Sequence, residues 1–198
     1  MTPEVTFTRH DPADAESILD SVIVPVYVAS HQDVIDQPFY TAGRFAERFP
    51  GYSKAPGFEI VIAYIDGAPV GQAFGYALPP NARWWNGLTT PVPDGFTDET
   101  GTRTFAFNEL MVVPEWQGRG VAHALHDALL RGRHEERATL LVREDNASAQ
   151  RAYARWGWQK AGKLQPFADS PHFDALILPL PLPLPDEAEP GAEVSSAP

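Results

Sequence analysis

The chain has 198 residues, 43% of them apolar, which is enough for one ordinary domain with a buried core. It contains no cysteine, so disulfides, thiolate metal ligands and covalent thiol catalysis are excluded. The formal net charge of −11 argues against a nucleic-acid-binding protein and mildly favours cationic small molecules or basic peptides as partners. Solubility is an equally good explanation of that charge. The sequence shows neither a signal-peptide core nor a run of ~20 apolar residues, so we expect a cytoplasmic protein that binds no membrane.

The N-terminal quarter is predicted to contain one short strand and two helices. Residues 5–9 alternate in polarity as a strand does, and Asp11 is a suitable N-cap for a helix that follows it. Pro25 is expected to kink or end this helix. A second helix is predicted from Pro38 to Phe49, with Pro50 and Gly51 stopping it. These two helices are expected to flank a substrate cleft.

A β-hairpin and a long loop come next. The apolar runs from Phe58 to Ile65 and from Val70 to Leu78 predict two strands, and Asp66-Gly67 between them is a strong turn signal. Residues 79–103 are rich in proline, glycine and aromatic residues and show no periodicity. Either Trp84 or Trp85 lines an acceptor pocket, or the loop packs onto the body of the protein or forms a dimer contact.

The stretch from Phe105 to Ala122 predicts a strand, a tight glycine turn and a helix. The strand spans Thr104 to Val113, and simple alternation places Phe105, Phe107, Glu109, Met111 and Val113 on one face. Gly118 and Gly120 permit backbone angles with φ > 0 and leave space for a ligand. Because the next helix begins with unpaired N–H groups, the turn is suited to a pyrophosphate.

This turn is neither a Walker A loop, since no Gly-Lys-Ser/Thr follows, nor a dinucleotide fingerprint, since the glycine spacing differs. It resembles the acetyl-CoA loop of the GNAT N-acetyltransferases, whose pattern Gln/Arg-x-x-Gly-x-Gly/Ala matches the following six residues. They are Gln117, Gly118, Arg119, Gly120, Val121 and Ala122.

A second cluster, on a later helix, resembles the signature that follows the CoA loop in the same family. It consists of Asn146, Ala149, Tyr153 and the pair Gly157-Trp158. Asn146 is also a natural N-cap, so helix capping is an equally good explanation of that residue. His123 and His126 lie three residues apart on the intervening helix, but without a third ligand we predict no metal site.

The order of predicted elements matches that of the GNAT fold from about Val5 to Leu178. The resemblance implies an α/β (α+β) fold with a mixed, mostly antiparallel central sheet of about six or seven strands, flanked by helices, whose fourth and fifth strands splay apart. We expect a GNAT-like domain over residues 1–180. Residues 181–198 are acidic and rich in proline and are expected to form a flexible tail, with a docking motif as the alternative.

The same resemblance implies acetyl-CoA as the co-substrate. The backbone of Met111, Val112 and Val113 is then expected to pair with the pantetheine amides like an added strand. The loop from Gln117 to Ala122 is expected to hold the pyrophosphate, with Arg119 adding a positive charge or only supporting the loop. Asn146 and Ala149 are expected to contact the pantetheine arm.

Transfer to an amine requires a base, because a primary alkylamine has a pKa of about 10.4 and is mostly protonated at neutral pH. Glu109 is the candidate base, directly or through water, with a structural role as the alternative. Tyr153 is the candidate acid, donating a hydrogen bond or a proton as the CoA thiolate leaves, and its alternative is a place in the core.

The acceptor is not identified by the sequence. We expect a primary amine of a small molecule or peptide; Asp33, Asp36, Glu47 and His172 either face the cleft or belong to the ordinary surface. A non-catalytic acyl-CoA-binding module, a different acyl group and a hydroxyl acceptor are the competing hypotheses, and a homodimer is possible.

Overall fold

The computed structural model describes residues 4–165 and 171–182. Most of the predicted tail, from residue 183 onward, lies outside these residues. The strands are β1 (Val5–His10), β2 (Glu59–Ile65), β3 (Ala68–Ala77), β4 (Thr104–Val112), β5 (Arg137–Arg143), β6 (Gln159–Leu164) and β7 (Phe173–Pro179). The helices are α1 (Pro12–Ser17), α2 (Val24–Ser30), α3 (Ala42–Ser53), α4 (Val121–Leu130) and α5 (Ala147–Arg155). A π-helical segment, Leu19–Ile23, joins α1 to α2, and a 3₁₀ turn, Pro114–Trp116, follows β4.

The seven strands form one mixed sheet in the order β1-β2-β3-β4-β5-β7-β6. All neighbouring strands are antiparallel except β4 and β5, which are parallel and pair over only three residues, from Thr104 to Ala106 on β4. Beyond these residues β4 continues to Val112 and β5 to Arg143, but the two strands no longer pair with each other. They therefore diverge and leave a gap. The predicted fold class is confirmed, including the splayed fourth and fifth strands.

Each face of the sheet carries its own helices and its own core. Alternate residues of β2 point to opposite faces, so Ile60 and Ile62 pack with α1, α2 and α3, while Val61 and Ala63 pack with α4. The hairpin predicted between β2 and β3 is confirmed. Its turn residues Asp66 and Gly67 both have positive φ, 51° and 76°, as a primed hairpin turn requires.

A β-bulge in β4 corrects the prediction that five of its residues share one face. Phe74 pairs with Glu109 and Gly75 with Phe107, so Asn108 is the extra residue. Phe107 therefore packs in the α4 core, whereas Met111 packs in the core beneath the first three helices. The strands approach so closely here that a Cβ on Gly75 would lie 2.2 Å from the Ala106 carbonyl oxygen.

Three helix boundaries that were predicted at prolines are wrong. The first helix ends at Ser17, well before Pro25, and Pro25 instead lies in the first turn of α2, where a missing N–H costs little. The second helix begins at Ala42 and continues through Pro50 to Ser53. Pro50 removes a single amide donor near the end of the helix, and the burial of Ser53 and the packing of Tyr52 hold the last turn in place.

The loop from residue 79 to 103 packs onto the β5-β7-β6 part of the sheet. Trp85 is 7% exposed, and its indole N–H donates to Glu99 at 2.8 Å. Glu99 also pairs with Arg137 at 3.3 Å. Trp84 donates to the Thr139 hydroxyl at 3.3 Å. The interpretation that this loop packs onto the body of the protein is confirmed, and Trp85 is buried beneath it. None of the helices in residues 4–165 and 171–182 combines the length and hydropathy needed to cross a bilayer.

Candidate functional site

The gap between β4 and β5 opens into a cavity of about 670 Å³ bounded by the start of α4 and by α5. Eight predicted cofactor-binding residues line it: Val112, Gln117, Gly118, Gly120, Ala122, Asn146, Ala149 and Tyr153. Six further lining residues were not predicted: Leu110, His123, Ser148, Ala152, Arg155 and Trp156. Helical spacing from Ala149 pointed to two of these, since Ala152 and Trp156 lie three and seven residues further along the chain.

The glycine turn has the backbone geometry that its sequence predicted. Gly118 and Gly120 have φ of 71° and 86°, and a Cβ at either position would meet no atom within 4 Å. These glycines are therefore required by conformation and not by crowding. Gly120 is the N-cap of α4 and provides no capping side chain, so the first-turn amides of α4 are available to an anion.

The end of β4 presents backbone polar groups to the gap. The Val113 amide donates to the Val70 carbonyl of the hairpin at 2.9 Å, so it is already occupied. The Val112 carbonyl accepts a hydrogen bond from the Gln117 side chain at 2.9 Å on the opposite edge. Because backbone groups alternate between the two edges of a strand, Leu110 and Val112 face the gap and Met111 faces β3. Of the three residues whose backbone was predicted to contact the cofactor, Val112 faces the gap, whereas Met111 and Val113 face β3.

Four of the predicted cofactor-binding residues do not line the cavity with their side chains. Met111 and Val121 are buried in the two cores, and Val113 packs against the α4 core. Arg119 is exposed, with its guanidinium 5.0 Å from the centre of the Trp116 ring. Its charge is therefore available near the turn, although the side chain is stacked on an aromatic neighbour.

Asn146 combines a structural role with a place at the cavity. Its side-chain oxygen accepts from the Ala149 amide at 3.1 Å and caps α5. The capping explanation is thus confirmed, and the residue nevertheless lines the cavity. About two turns further on, Tyr153 contacts Trp156 and Trp158 edge to face, with its ring centre 5.5 and 5.9 Å from theirs. This aromatic packing fixes the direction of the Tyr153 side chain.

Glu109 has an ionisation suited to proton transfer near neutral pH. The bulge directs it toward the side of α2 and α3, and burial of the carboxyl raises its pKa to about 7, against an opposing effect of Arg48. The residue as a whole keeps intermediate solvent exposure, but its carboxyl group is deeply enclosed. A carboxyl group with this pKa can both accept and release a proton at pH 7.

The phenol of Tyr153 lies near this carboxyl group and is harder to ionise than usual. Burial raises the pKa of Tyr153 above its ordinary value, and the negative charge of Glu109 adds to the effect. Because the carboxylate acts on the phenol in this way, the two predicted catalytic side chains are brought together. Tyr153 lines the cavity, whereas Glu109 is not among the lining residues and faces the side of α2 and α3.

Three residues that sequence reasoning missed surround Glu109 on the helix side. The pKa values of Tyr27 and Tyr52 are both raised, mainly by burial. The negative charge of Glu109 adds to this effect, and the Arg48 guanidinium beside both phenols opposes it. All four side chains therefore form one cluster between the sheet and the helices. Tyr27, Arg48 and Tyr52 come from separate turns of α2 and α3, so no local sequence pattern identified them. Of the acceptor candidates named from sequence, Asp33, Asp36, Glu47 and His172 are all exposed.

The histidine pair on α4 has a structural explanation. His126 is 1% exposed, its Nε2 accepts from the Trp158 indole at 2.9 Å, and its Nδ1 lies 2.8 Å from the Asp127 carboxylate. Asp127 thus brings a third possible ligand beside His123 and His126, with the three ligand atoms within 4.8 Å of one another. However, a metal at His126 would displace one of its two hydrogen bonds. The network instead fixes the neutral tautomer that carries its proton on Nδ1.

This network predicts a pH-dependent stability. Burial lowers the pKa of His126, so the folded protein resists protonation of this side chain while the unfolded chain does not. The stabilising contribution is complete above pH ~6.5 and is lost as pH falls toward the lower folded pKa, by up to about 1.4 kcal/mol per pH unit. Urea unfolding should show the advantage of wild type over His126→Gln shrinking from pH 7.5 to 5.5. The matched control is His134→Gln, because the His134 side chain is exposed. A parallel change in both variants would contradict the assignment of the effect to His126.

Comparisons with known proteins agree with this geometry. The chain matches the Acetyltransferase (GNAT) family over residues 26–158. A GCN5-like protein acetyltransferase of Mycobacterium tuberculosis is 35% identical over 125 residues, which make up 58% of this chain and 60% of that relative. The match therefore spans less than two thirds of the relative's length.

Two solved structures resemble nearly the whole chain. Ard1 of Thermoplasma volcanium has 19% identity and a TM-score of 0.56, and the match covers 90% of this chain and 99% of Ard1. The ribosomal-protein-S18-alanine N-acetyltransferase of Escherichia coli has 17% identity and a TM-score of 0.56, with 92% and 98% covered. At these identities the likeness shows a shared fold alone.

Proposed function

Because the chain belongs to the acetyltransferase (GNAT) family, we propose that it is an N-acetyltransferase that moves the acetyl group of acetyl-CoA to a primary amine of a small molecule or peptide. The observation that carries the proposal is the pair of Tyr153, which lines the cavity, and Glu109, whose charge acts on the Tyr153 phenol. The carboxyl group has a pKa of about 7, and the phenol stays protonated at any working pH. This is the pair of groups that acyl transfer to an amine requires.

The donor occupies the cavity along the edge of β4. Backbone groups of Leu110 and Val112 pair with the pantetheine amides, because these residues face the gap. The first-turn amides of α4 and the glycine turn hold the pyrophosphate, and Arg119 adds positive charge outside it. Asn146 and Ala149 border the pantetheine arm from the side of α5. The cavity residues are consistent with a CoA molecule, since they combine a peptide-like edge with an anion-binding helix terminus.

The reaction proceeds by direct attack without an acyl-enzyme, because the chain has no cysteine and the amine itself is the nucleophile. Glu109 takes a proton from the ammonium group, and the free amine attacks the thioester carbonyl to form the new C–N bond. When the C–S bond breaks, Tyr153 donates a hydrogen bond to the developing thiolate. The nitrogen loses its second proton and CoA takes up one, so the products are the acetamide and CoA thiol.

Calorimetry with acetyl-CoA, followed by mass spectrometry of an amine panel, tests this proposal. We expect saturable binding and acetylated product. Ala152→Trp should fill the cavity and weaken binding by at least about tenfold, or 1.4 kcal/mol. The matched control is Arg151→Trp on the exposed side of the same helix, which should bind normally. Absence of binding at millimolar acetyl-CoA would overturn the proposal. Binding without product from any amine would favour a non-catalytic CoA-binding module.

A further inference from the structure

Arg48 is a cation without a carboxylate partner beside the proposed base. Its guanidinium lies 4.4 Å from the centre of the Phe39 ring, and one terminal nitrogen donates to the Phe39 carbonyl at 2.9 Å. Its Nε is buried and makes no hydrogen bond. Among the described residues, no carboxylate lies within the 4.0 Å of Arg48 that defines an ion pair. By contrast Arg44, one turn earlier on α3, pairs with Glu47 at 3.0 Å.

Glu109 is equally without a cationic partner. It forms no ion pair with any described residue, although Arg48 lies close enough to act on its charge. Glu109 pairs with Phe74 of β3, and Tyr52, one turn after Arg48 on α3, packs against Phe74. The two ionisable side chains therefore lie on the same side of the sheet, among aromatic residues, without forming an ion pair. Partly buried charges that lack close partners are unfavourable for folding. Such an arrangement is expected where a ligand with both charges completes the site.

We infer that the acceptor is an amine that also carries a carboxylate, of which a free α-amino acid is the simplest case, with its carboxylate bound by Arg48 and its amine presented to Glu109. This inference rests on the acetyltransferase function proposed above. The planar guanidinium forms paired hydrogen bonds to a carboxylate, so it also orients the substrate. The amine is then held on the Tyr153 side of Glu109, where the thioester would lie.

The aromatic side chains around Arg48 and Glu109 favour an acceptor with an apolar side chain. Tyr27 stacks on Phe45 with ring centres 4.0 Å apart, and Tyr52 packs against Phe74 at 5.5 Å. Phe39, which Arg48 contacts, is 61% exposed and is therefore accessible to a ligand. Phenylalanine and tryptophan are therefore suitable probes. Their decarboxylated analogues, phenethylamine and tryptamine, keep the amine and the ring but lack the carboxylate.

The experiment measures kcat/KM for both members of each pair in wild type, Arg48→Gln and Arg48→Lys, with Arg44→Gln as the control on the same helix. We expect Arg48→Gln to lower kcat/KM for the amino acids by about 10- to 100-fold, mainly through KM, and to change it little for the decarboxylated amines. Arg48→Lys should recover part of the loss because it keeps the charge. Arg44→Gln should behave as wild type.

The alternative role for Arg48 is to tune Glu109, whose pKa it lowers. In that case Arg48→Gln would shift the pH profile upward and reduce activity equally for both members of a pair, and this result would overturn the inference. Acetylation confined to decarboxylated or peptide amines would overturn it too, while leaving the acetyltransferase proposal intact. No acetyl-CoA binding and no product from any amine would reject both. Calorimetry with acetyl-CoA should show unchanged affinity in Arg48→Gln.

Discussion

Replacement of Glu109 by Gln is expected to lower kcat with a primary-amine acceptor by about 100- to 10,000-fold, the usual contribution of a positioned general base. Gln keeps the size and polarity of the side chain but cannot accept the ammonium proton. Acetyl-CoA affinity should be unchanged, because Glu109 does not line the cavity. Steady-state kinetics with a matched Glu47→Gln variant provide the comparison, since Glu47 is an exposed carboxylate on α3.

The pH dependence of kcat/KM tests whether the group removed in Glu109→Gln is the general base. Because burial raises the pKa of Glu109 to about 7, the carboxylate form is scarce below this pH, and kcat/KM should rise as pH increases through 7. Arg48, Tyr27, Tyr52 and Tyr153 surround the carboxyl group, and the three phenols, whose pKa values are raised, stay protonated across this range. The inflection near pH 7 should disappear in Glu109→Gln. An inflection that persists in this variant would assign it to another group.

Stability provides the control against misfolding. A carboxyl group whose folded pKa is raised stabilises the protein only while protonated, so its contribution is complete below about pH 4.5 and is lost as pH rises through 7. At pH 8 Glu109→Gln should therefore be more stable than wild type by about 1–3 kcal/mol in urea unfolding. Lower activity together with higher stability is the expected signature. A destabilised variant would indicate that the carboxylate has a structural partner.

The donor half of the candidate site was predictable because its residues are close together in the chain. The turn at Gly118 and Gly120 is set by local backbone angles, and the α5 cluster by helical spacing from Asn146 to Tyr153. The geometry of each motif is therefore determined by neighbouring residues and does not depend on how the sheet is assembled. Even here the sequence did not show which backbone groups face the gap, because this depends on the pairing of β4 with β3.

The surroundings of Glu109, which we propose as the acceptor half, were not predictable, because they are assembled from residues far apart in the sequence. The bulge at Asn108 displaces Glu109 to the face of α2 and α3, and a bulge has no clear signal in a strand that carries apolar residues on both faces. Arg48 and Tyr27 reach the same point only through packing of two helices whose boundaries were misjudged at proline. The proposed donor site can thus be predicted from local sequence motifs, whereas the proposed acceptor site depends on tertiary packing.

Replacement of Tyr153 by Phe is expected to lower kcat by about 100-fold, at the lower end of the range for a positioned acid. Burial and the Glu109 charge raise the pKa of Tyr153 above its ordinary value of 10, whereas a thiol has a pKa of about 8.5. Complete transfer of the phenolic proton to the leaving thiolate would therefore be unfavourable. The phenol instead stabilises the developing charge by donating a hydrogen bond, which is a smaller effect than proton removal by Glu109.

The pH profile of Tyr153→Phe distinguishes the two catalytic roles, hydrogen-bond donor and proton donor, that the sequence left open. A hydrogen-bond donor that is always protonated predicts a reduced kcat with no change in the shape of the pH profile below pH 9, since Tyr153 does not titrate there. A true proton donor would add a falling limb as the phenol ionises. Tyr64→Phe, a hydroxyl deletion on β2 away from the cavity, is the matched control and should keep wild-type rates. An unchanged kcat in Tyr153→Phe would show that the phenol has no catalytic role and that Tyr153 only packs against Trp156 and Trp158.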